Sequence, residues 1–260
     1  MKIGVFDSGV GGITVLTELQ KELHGADFVY YGDNLNLPYG TKSSAQVARL
    51  SADCAHALKA RDVDAVVVAC NTASSLALDA VREVMGEIPV FGVVEPGAAA
   101  VTKALRDLGR SDAPVLILAT RATVKSGAYG KTLGQQRLRV FEQPCPLLVP
   151  IIEEGWGDHE VLHLALQEYV RPYQKLAVPG AALLACTHYP WIHSAFERAL
   201  PGWTVVNSAQ AITSALVQSD FWVKSLATRS ATSPVINGTV DWVFTDPDTI
   251  PAFALSLIRQ

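Results

Sequence analysis

Apolar and polar positions alternate along the chain in two different rhythms. Short continuous runs of Val, Ile, Leu and Ala predict buried strands, whereas longer segments with helical spacing of their apolar residues predict helices. The predicted strands cover residues 2–7, 28–33, 64–70, 89–96, 114–120, 138–144, 181–186, 203–208 and 240–245. The predicted helices cover residues 11–23, 43–62, 72–85, 122–136, 159–173, 193–201, 208–221 and 251–258. This alternation predicts a parallel α/β architecture, with a polar surface loop at 225–238.

Two of the predicted strands end on a cysteine that polar residues follow at once. Cys70 ends the apolar run in VVVACNTASS, and Cys186 ends the run in LLACTHYP. Ligands of doubly wound folds bind at the carboxyl ends of the strands, and a following helix start favours a thiolate. A single cysteine in an apolar strand is usually a small core residue. The repeated context instead suggests that two halves of the chain each contribute a thiol to one pocket.

Two opposed thiols are suited to more than one chemistry. They could form a disulfide switch, or one thiolate could remove a proton from one face of a carbon while the other thiol delivers a proton to the opposite face. Asp7, Glu153 and His188 are candidates to tune the two sulfurs. The remaining cysteines, Cys54 and Cys145, lie in apolar surroundings and are expected to be structural.

Composition and charge narrow the class of protein. The chain has 260 residues, of which 49% are hydrophobic, and a formal net charge of −4. Direct binding of nucleic acid is therefore not expected, since it needs a basic patch. No apolar run is long enough to span a membrane and no signal peptide is recognised, so a cytoplasmic enzyme is expected. Four cysteines without a CxxC pair favour neither a disulfide scaffold nor a zinc site.

The glycine-rich stretch SGVGG (8–12) only partly matches a dinucleotide-binding loop. The full fingerprint needs a glycine where Thr14 stands, and Asp33 is the one acidic residue that could contact a ribose. The loop can still present backbone N–H groups to an anion at a helix start.

Seven stretches, in order along most of the chain, resemble the bacterial glutamate racemases of the cofactor-independent aspartate/glutamate racemase superfamily. They are FDSGVGG (6–12), GDNLNLPYG (32–40), ACNTAS (69–74), GVVEPG (92–97), ATRATVKSGAY (119–129), VPIIEEG (149–155) and ACTHYP (185–190). The resemblance implies interconversion of L- and D-glutamate, which supplies D-glutamate for peptidoglycan. It also implies that the reaction needs neither pyridoxal phosphate (PLP) nor a metal.

The resemblance also assigns roles to individual residues. It implies that Cys70 acts on the D-isomer and Cys186 on the L-isomer, with Asp7, Glu153 and His188 assisting the thiols. Glu154 is adjacent to Glu153, so either of the two could be the assisting glutamate. The implied substrate contacts are Asp7, Ser8, Tyr39, Gly40, Asn71, Thr72, Thr187 and His188, with Thr120 and Thr123 as further candidates.

The fold implied by the resemblance is two similar doubly wound, mainly parallel α/β domains that face each other across a central cleft. The first is expected to comprise residues 1–95 plus 208–260, and the second residues 96–207. A homodimer is expected. The chain departs from the family where FTDPD (244–248) follows the last predicted strand, which is expected to affect packing or assembly more than catalysis.

Three alternatives stay open at this point. The chain could be an aspartate racemase or another two-cysteine amino-acid racemase, because the sequence does not give the size of the pocket. It could be a regulatory protein on the same fold, like the family members that inhibit DNA gyrase. A redox switch is the third alternative, and it requires a disulfide between Cys70 and Cys186.

Overall fold

The computed structural model describes residues 1–134, 138–227 and 238–258. Within these residues the strands are β1 (Lys2–Asp7), β2 (Asp27–Gly32), β3 (Ala65–Val68), β4 (Val90–Gly92), β5 (Val115–Ala119), β6 (Val140–Pro144), β7 (Ala181–Ala185), β8 (Thr204–Asn207) and β9 (Val240–Phe244). The early helices are α1 (Ile13–Glu22), α2 (Ser44–Lys59), α3 (Asn71–Leu76), α4 (Leu78–Met85), α5 (Val94–Asp107), α6 (Arg121–Ser126) and α7 (Ala128–Gly134). The later helices are α8 (Leu148–Glu153), α9 (Glu160–Gln174), α10 (His193–Ala199), α11 (Ser208–Val217), α12 (Asp220–Ala227) and α13 (Ala252–Ile258).

The strands form two parallel sheets. The first sheet has the order β4-β3-β1-β2-β9 and the second has the order β6-β5-β7-β8. Every strand pair in both sheets is parallel. The predicted fold class, two parallel α/β domains, is therefore confirmed. The C-terminal strand β9 pairs with β2 and so returns to the first sheet, as the predicted partition of the chain requires; the domain boundaries themselves stay a prediction.

Helices cover both faces of each sheet and bury its central strands. On the first sheet, Leu16 of α1 and Ile212 of α11 pack on one face, and Leu58 of α2 packs on the other. All residues of β3, β5 and β7 are buried, whereas those of the edge strands β4, β6 and β8 are half-buried. This burial explains why the central strands are continuous apolar runs. Helix α11 packs against both α1 and α5 and thereby joins the helical layers of the two sheets.

Two helices lie where the sequence analysis assigned none. The predicted strand 89–96 ends at Gly92, and α5 begins two residues later at Val94. Helix α8 (Leu148–Glu153) occupies the interval between the predicted strand 138–144 and the predicted helix 159–173. Among the described residues, no helix is both long and apolar enough to cross a membrane.

Several predicted helices are divided. The predicted helix 122–136 breaks at Gly127, whose φ of 63° lies in the left-handed region that glycine adopts without strain. Its last two residues lie outside the described part of the chain. The predicted helix 72–85 divides at Ala77 into α3 and α4, and 208–221 divides into α11 and α12. Of the predicted loop 225–238, residues 225–227 belong to α12 and 228–237 lie outside the described residues.

Candidate active site

The carboxyl ends of strands from both sheets converge on one small cavity. Ser8 follows β1, Thr120 follows β5 and Cys186 follows β7, while Cys70 lies just beyond β3. The cavity has a volume of about 30 Å³. Ten of the residues predicted for the site line it, namely Ser8, Tyr39, Gly40, Cys70, Asn71, Thr72, Thr120, Cys186, Thr187 and His188. Leu37, Pro38 and Val149 complete the lining.

Cys70 occupies the junction between β3 and α3. Its side chain is only 5% exposed, and its thiol donates to Ser8 Oγ at 3.5 Å. Burial and, next, the negative charge of Asp7 raise the pKa of the Cys70 thiol to about 12. The Ser8 hydroxyl and the backbone N–H of Ala73, in the first turn of α3, oppose this rise. Cys70 is therefore a protonated thiol at neutral pH.

Cys186 has different neighbours. Its Sγ lies 4.0 Å from His188 Nδ1, and His188 Nε2 lies 2.8 Å from Glu153 Oε1. Burial alone would lower the pKa of His188, but the hydrogen bonds and charges of Cys186 and Glu153 outweigh it and raise the pKa to about 10. The chain Glu153–His188–Cys186 thus places a protonated imidazole beside the second thiol.

The two adjacent glutamates at the end of helix α8 have different surroundings. Glu153 is the last residue of the helix and contacts His188, whereas Glu154 follows the helix and is exposed. The expected α-helix start directly after Cys186 is not observed. A short 3-10 turn at Tyr189–Ile192 follows instead, so the second thiol lacks the α-helix N-terminus that Cys70 has.

Asp7 lies fully buried at the end of β1, behind the cavity wall. Its Oδ2 accepts the backbone N–H of Gly9 at 3.1 Å, and its Oδ1 accepts the hydroxyl of Thr187 at 3.2 Å. Burial raises the pKa of the Asp7 carboxyl, and the positive charge of His188 partly offsets the rise. The SGVGG loop therefore directs its backbone N–H groups at a carboxylate of the chain itself, with Gly12 also donating.

The two halves of the chain meet closely at this point. Thr14 of α1 donates its hydroxyl to the Thr187 carbonyl at 2.8 Å. A Cβ atom at Gly11 would lie 2.5 Å from His188 Nδ1, well inside van der Waals contact. Only glycine at position 11 lets the loop approach the imidazole so closely.

Three threonine hydroxyls form a second contact across the halves. Thr72 Oγ1 lies 2.9 Å from Thr120 Oγ1 and 3.1 Å from Thr123 Oγ1, and the last two lie 3.0 Å apart. Thr120 also caps the start of α6. Thr72 and Thr120 line the cavity, whereas Thr123 lies behind them and is not part of the lining.

The hydroxyl of Tyr39 is hydrogen-bonded to the buried carboxylate of Asp33. Its hydroxyl donates to Asp33 Oδ2 at 2.6 Å, and Asn36 and Thr245 each donate to Asp33 Oδ1 at 3.0 Å. Any contact of Tyr39 with a substrate therefore comes from its backbone. Asp33 supports the loop that lines the cavity, a role different from the ribose contact considered for it. Through Thr245, the FTDPD segment also contacts Asp33.

The similarity to known proteins extends over most of the chain. A model of the Asp/Glu/Hydantoin racemase family matches residues 3–216. The chain belongs to this family. The glutamate racemase of Persephonella marina is 40% identical over 212 residues, which cover 81% of this chain and 79% of that protein. The resemblance to glutamate racemases and the prediction of an isomerase are confirmed.

Solved structures of glutamate racemases share the whole fold of this family member. The Francisella tularensis enzyme, in complex with D-glutamate, aligns with a TM-score of 0.86 at 29% identity, covering 100% of this chain and 94% of that one. The Escherichia coli enzyme, in complex with L-glutamate and the activator UDP-MurNAc-Ala, aligns with a TM-score of 0.76 at 27% identity, covering 99% and 94%.

The sequence did not indicate a role for two residues of the site. Val149 was part of a matching stretch but received no role, and it supplies an apolar wall. Tyr129 ends another matching stretch and contacts Asn71 from the other half of the chain. No group of three or more His, Cys, Asp or Glu side chains within the described ranges is arranged to hold a metal ion. The four cysteines are all free and buried.

Proposed function

We propose that the protein interconverts L- and D-glutamate by proton transfer between two cysteines, without PLP. The observation that carries the proposal is the placement of Cys70 and Cys186, from equivalent strand ends of two sheets, on one cavity. A racemase must remove the Cα proton from one face of the substrate and protonate the other. Two thiols on opposite halves of a cleft match this requirement.

In this mechanism the two thiols exchange protonation states in each turnover. One thiolate takes the Cα proton and leaves an electron pair on Cα, and the opposite thiol gives its proton to the other face. Cys70 acts on D-glutamate and Cys186 on L-glutamate. The imidazolium of His188, held by Glu153, stabilises a thiolate at Cys186. On the other side, the negative charge of Asp7 favours the protonated Cys70 thiol that gives its proton to the substrate.

The carbanion needs stabilisation, since the Cα–H of an amino acid is a very weak acid. Hydroxyl donors fixed in a water-poor site supply it because they need no reorganisation during the reaction. Ser8 and Thr72 line the cavity and provide such donors, whereas the hydroxyl of Thr187 donates to Asp7. Thr187, His188, Gly40, Asn71 and the backbone of Tyr39 complete the proposed substrate contacts, with Thr120 beside them and Thr123 supporting Thr72. Asp7 lies behind the cavity wall and acts only through its neighbours.

The cavity has room for at most two or three water molecules, each of which needs at least ~10–15 Å³. Glutamate therefore enters only when the two halves move apart, and the closed form excludes water around the bound substrate. The product D-glutamate supplies peptidoglycan synthesis in our proposal, and the protein works in the cytoplasm.

The proposal is tested with purified protein, L- or D-glutamate and no added PLP. We expect racemisation of glutamate in both directions and loss of activity in Cys70→Ser and Cys186→Ser, with circular dichroism showing that both variants fold. Full activity in either variant contradicts the two-thiol mechanism. Parallel assays with L- and D-aspartate test substrate choice, because racemisation of aspartate but not glutamate would contradict the proposed substrate.

A further inference from the structure

We propose that Tyr129 is a positioning residue that holds the Asn71 side-chain amide so that its Nδ2 group stays free to donate to a carboxylate of the substrate. This inference rests on the proposed function, because it concerns how the same site binds glutamate. It gives a role to Tyr129, which ends the ATRATVKSGAY stretch.

The two side chains form a buried pair between the halves of the chain. The Tyr129 hydroxyl donates to Asn71 Oδ1 at 2.6 Å, and the residues are only 1% and 2% exposed, respectively. Asn71 lines the cavity between the two thiols. Its Nδ2 is buried and has no hydrogen-bond partner among the described residues. A buried amide group without a partner is uncommon and indicates a ligand that completes it.

The phenol fixes which way the amide faces. Oδ1 accepts the phenolic proton; turning the amide over would make the phenol oxygen accept from Nδ2 instead and would leave the phenolic proton without this partner. Burial raises the pKa of the Tyr129 phenol, which therefore remains a donor across the working pH range. The unpartnered Nδ2 then faces away from Tyr129.

The chemistry of Nδ2 selects the group that it binds. An amide N–H₂ group only donates, so it pairs with an acceptor and not with the substrate ammonium. A carboxylate of glutamate is an acceptor, and a hydrogen bond to a charged oxygen is stronger than one between neutral groups. Asn71 therefore binds a substrate carboxylate, and Tyr129 keeps it oriented for this contact.

The surroundings of Tyr129 are shaped to keep its ring in place. Tyr129 is the second residue of helix α7, and its ring packs near Gly97 of α5. A Cβ added at Gly97 would lie 3.3 Å from Tyr129 Cε1 and 3.4 Å from its hydroxyl oxygen. Gly97 belongs to the matching stretch GVVEPG, to which no function had been assigned. A glycine here leaves the space that the phenol needs to reach Asn71.

The test is the steady-state kinetics of Tyr129→Phe with glutamate, after the unmodified protein has been shown to racemise it. We expect KM to rise about tenfold, with kcat within about twofold, because the lost contact is the same in the ground and transition states. Tyr173→Phe is the matched control, since its hydroxyl also donates to a side-chain amide oxygen, Gln143 Oε1, at 3.0 Å. The control should leave KM unchanged.

The double variant distinguishes positioning from a general loss of packing. If Tyr129 acts through Asn71, then Tyr129→Phe in an Asn71→Ala background changes KM by less than about twofold. An equal effect in both backgrounds, or an unchanged KM in Tyr129→Phe alone, overturns the proposal. Should Tyr129→Phe not fold, Asn71→Ala alone is measured, and an unchanged KM there also overturns the proposal, because no carboxylate contact would exist for Tyr129 to position. If the unmodified protein does not racemise glutamate, the proposed function itself is contradicted, and this outcome differs from an active protein whose KM is unchanged in Tyr129→Phe.

Discussion

The two thiols differ in their immediate surroundings, and this difference determines how each is activated. Cys70 has a neutral hydroxyl, Ser8, and the charge of Asp7 nearby, whereas Cys186 has the imidazole of His188 backed by Glu153. The first environment favours the protonated thiol, whereas the second places an imidazolium beside the sulfur. The substrate-free site is therefore asymmetric although its two halves are built alike.

The pKa of Cys70 gives a prediction about its reactivity. Only the thiolate reacts with iodoacetamide, so with a pKa of about 12 the alkylation rate of Cys70 should rise about tenfold per pH unit between pH 7 and pH 10. Mass spectrometry of the Cys70 peptide measures this rate. A plateau above about pH 8.5, the pKa of an ordinary thiol, would contradict the prediction.

Glu153→Gln tests the hydrogen-bonded chain Glu153–His188–Cys186. Removing the carboxylate should lower the pKa of His188 from about 10, and racemisation should fall. The folded pKa of His188 lies above its unfolded value of about 6.5. Protonated His188 therefore stabilises the fold fully below pH 6.5, and this stabilisation is lost as the pH rises through 10. In Glu153→Gln the pKa of His188 is lower, so the same stabilisation is lost at a lower pH.

Histidine NMR titration and thermal unfolding at several pH values measure the two effects of Glu153→Gln. Glu154→Gln is the control, because the exposed neighbour makes no contact with His188 in the described hydrogen bonds and should leave the titration unchanged. Identical titrations of His188 in Glu153→Gln and the unmodified protein would contradict the claim that Glu153 raises the pKa of His188.

At the scale of elements, the apolar runs predicted the central strands and the position of both thiols. Strands β3, β5 and β7 are buried on both faces, so their sequences carry an unambiguous signal. Helix α5 was missed because its first residue continues the apolar run of β4, and because Pro96 in its first turn looks like a helix breaker although it is tolerated there. Helix α8 was missed for a similar reason, since it is short and contains Pro150.

The contacts of the site were less predictable than its strand ends. A repeated local context identified Cys70 and Cys186 without any knowledge of their distance. The bond from Tyr129 to Asn71 joins residues 58 positions apart, and no periodicity predicts such a contact. The hydrogen bond from Tyr39 to Asp33 joins residues only 6 positions apart, but it depends on a loop conformation that composition does not specify.

Helix α2 provides a prediction about stability that is independent of the site. Ser43 and Gln46 form a capping box at its start, in which each side chain accepts the other residue's backbone N–H. Ser43→Ala should reduce the free energy of unfolding by about 1 kcal/mol and leave activity unchanged. Urea denaturation measures the loss, with Ser44→Ala as the control one position on. An unchanged midpoint would show that the box contributes nothing.

At the scale of the whole molecule, the two halves touch through small polar contacts around the cavity. The threonine hydroxyls, the Thr14–Thr187 bond and the close approach of Gly11 to His188 all cross the cleft. Each contact is weak enough to break and reform as the halves separate for substrate entry. The expected homodimer stays a prediction.

Thr72→Val tests this picture of opening. It removes the hydroxyl that joins Thr120 and Thr123 to the first half, and one such hydrogen bond contributes about 1 kcal/mol. We expect Cys70 alkylation at fixed pH to accelerate about fivefold, because the reagent reaches the buried thiol only in the open form. Thr102→Val, which removes a hydroxyl bonded within α5, is the control. Equal rates in all three proteins would contradict the role of the threonines.

The transfer of protons between two separate bases is the central claim, and deuterium labelling tests it most directly. The unmodified protein is given L-glutamate in D₂O, and early samples are separated into enantiomers and analysed by mass spectrometry. Two bases predict that the D-glutamate formed carries deuterium at Cα while the remaining L-glutamate carries almost none. D-glutamate that keeps its original proton, or L-glutamate labelled as fast as the product, would contradict the account.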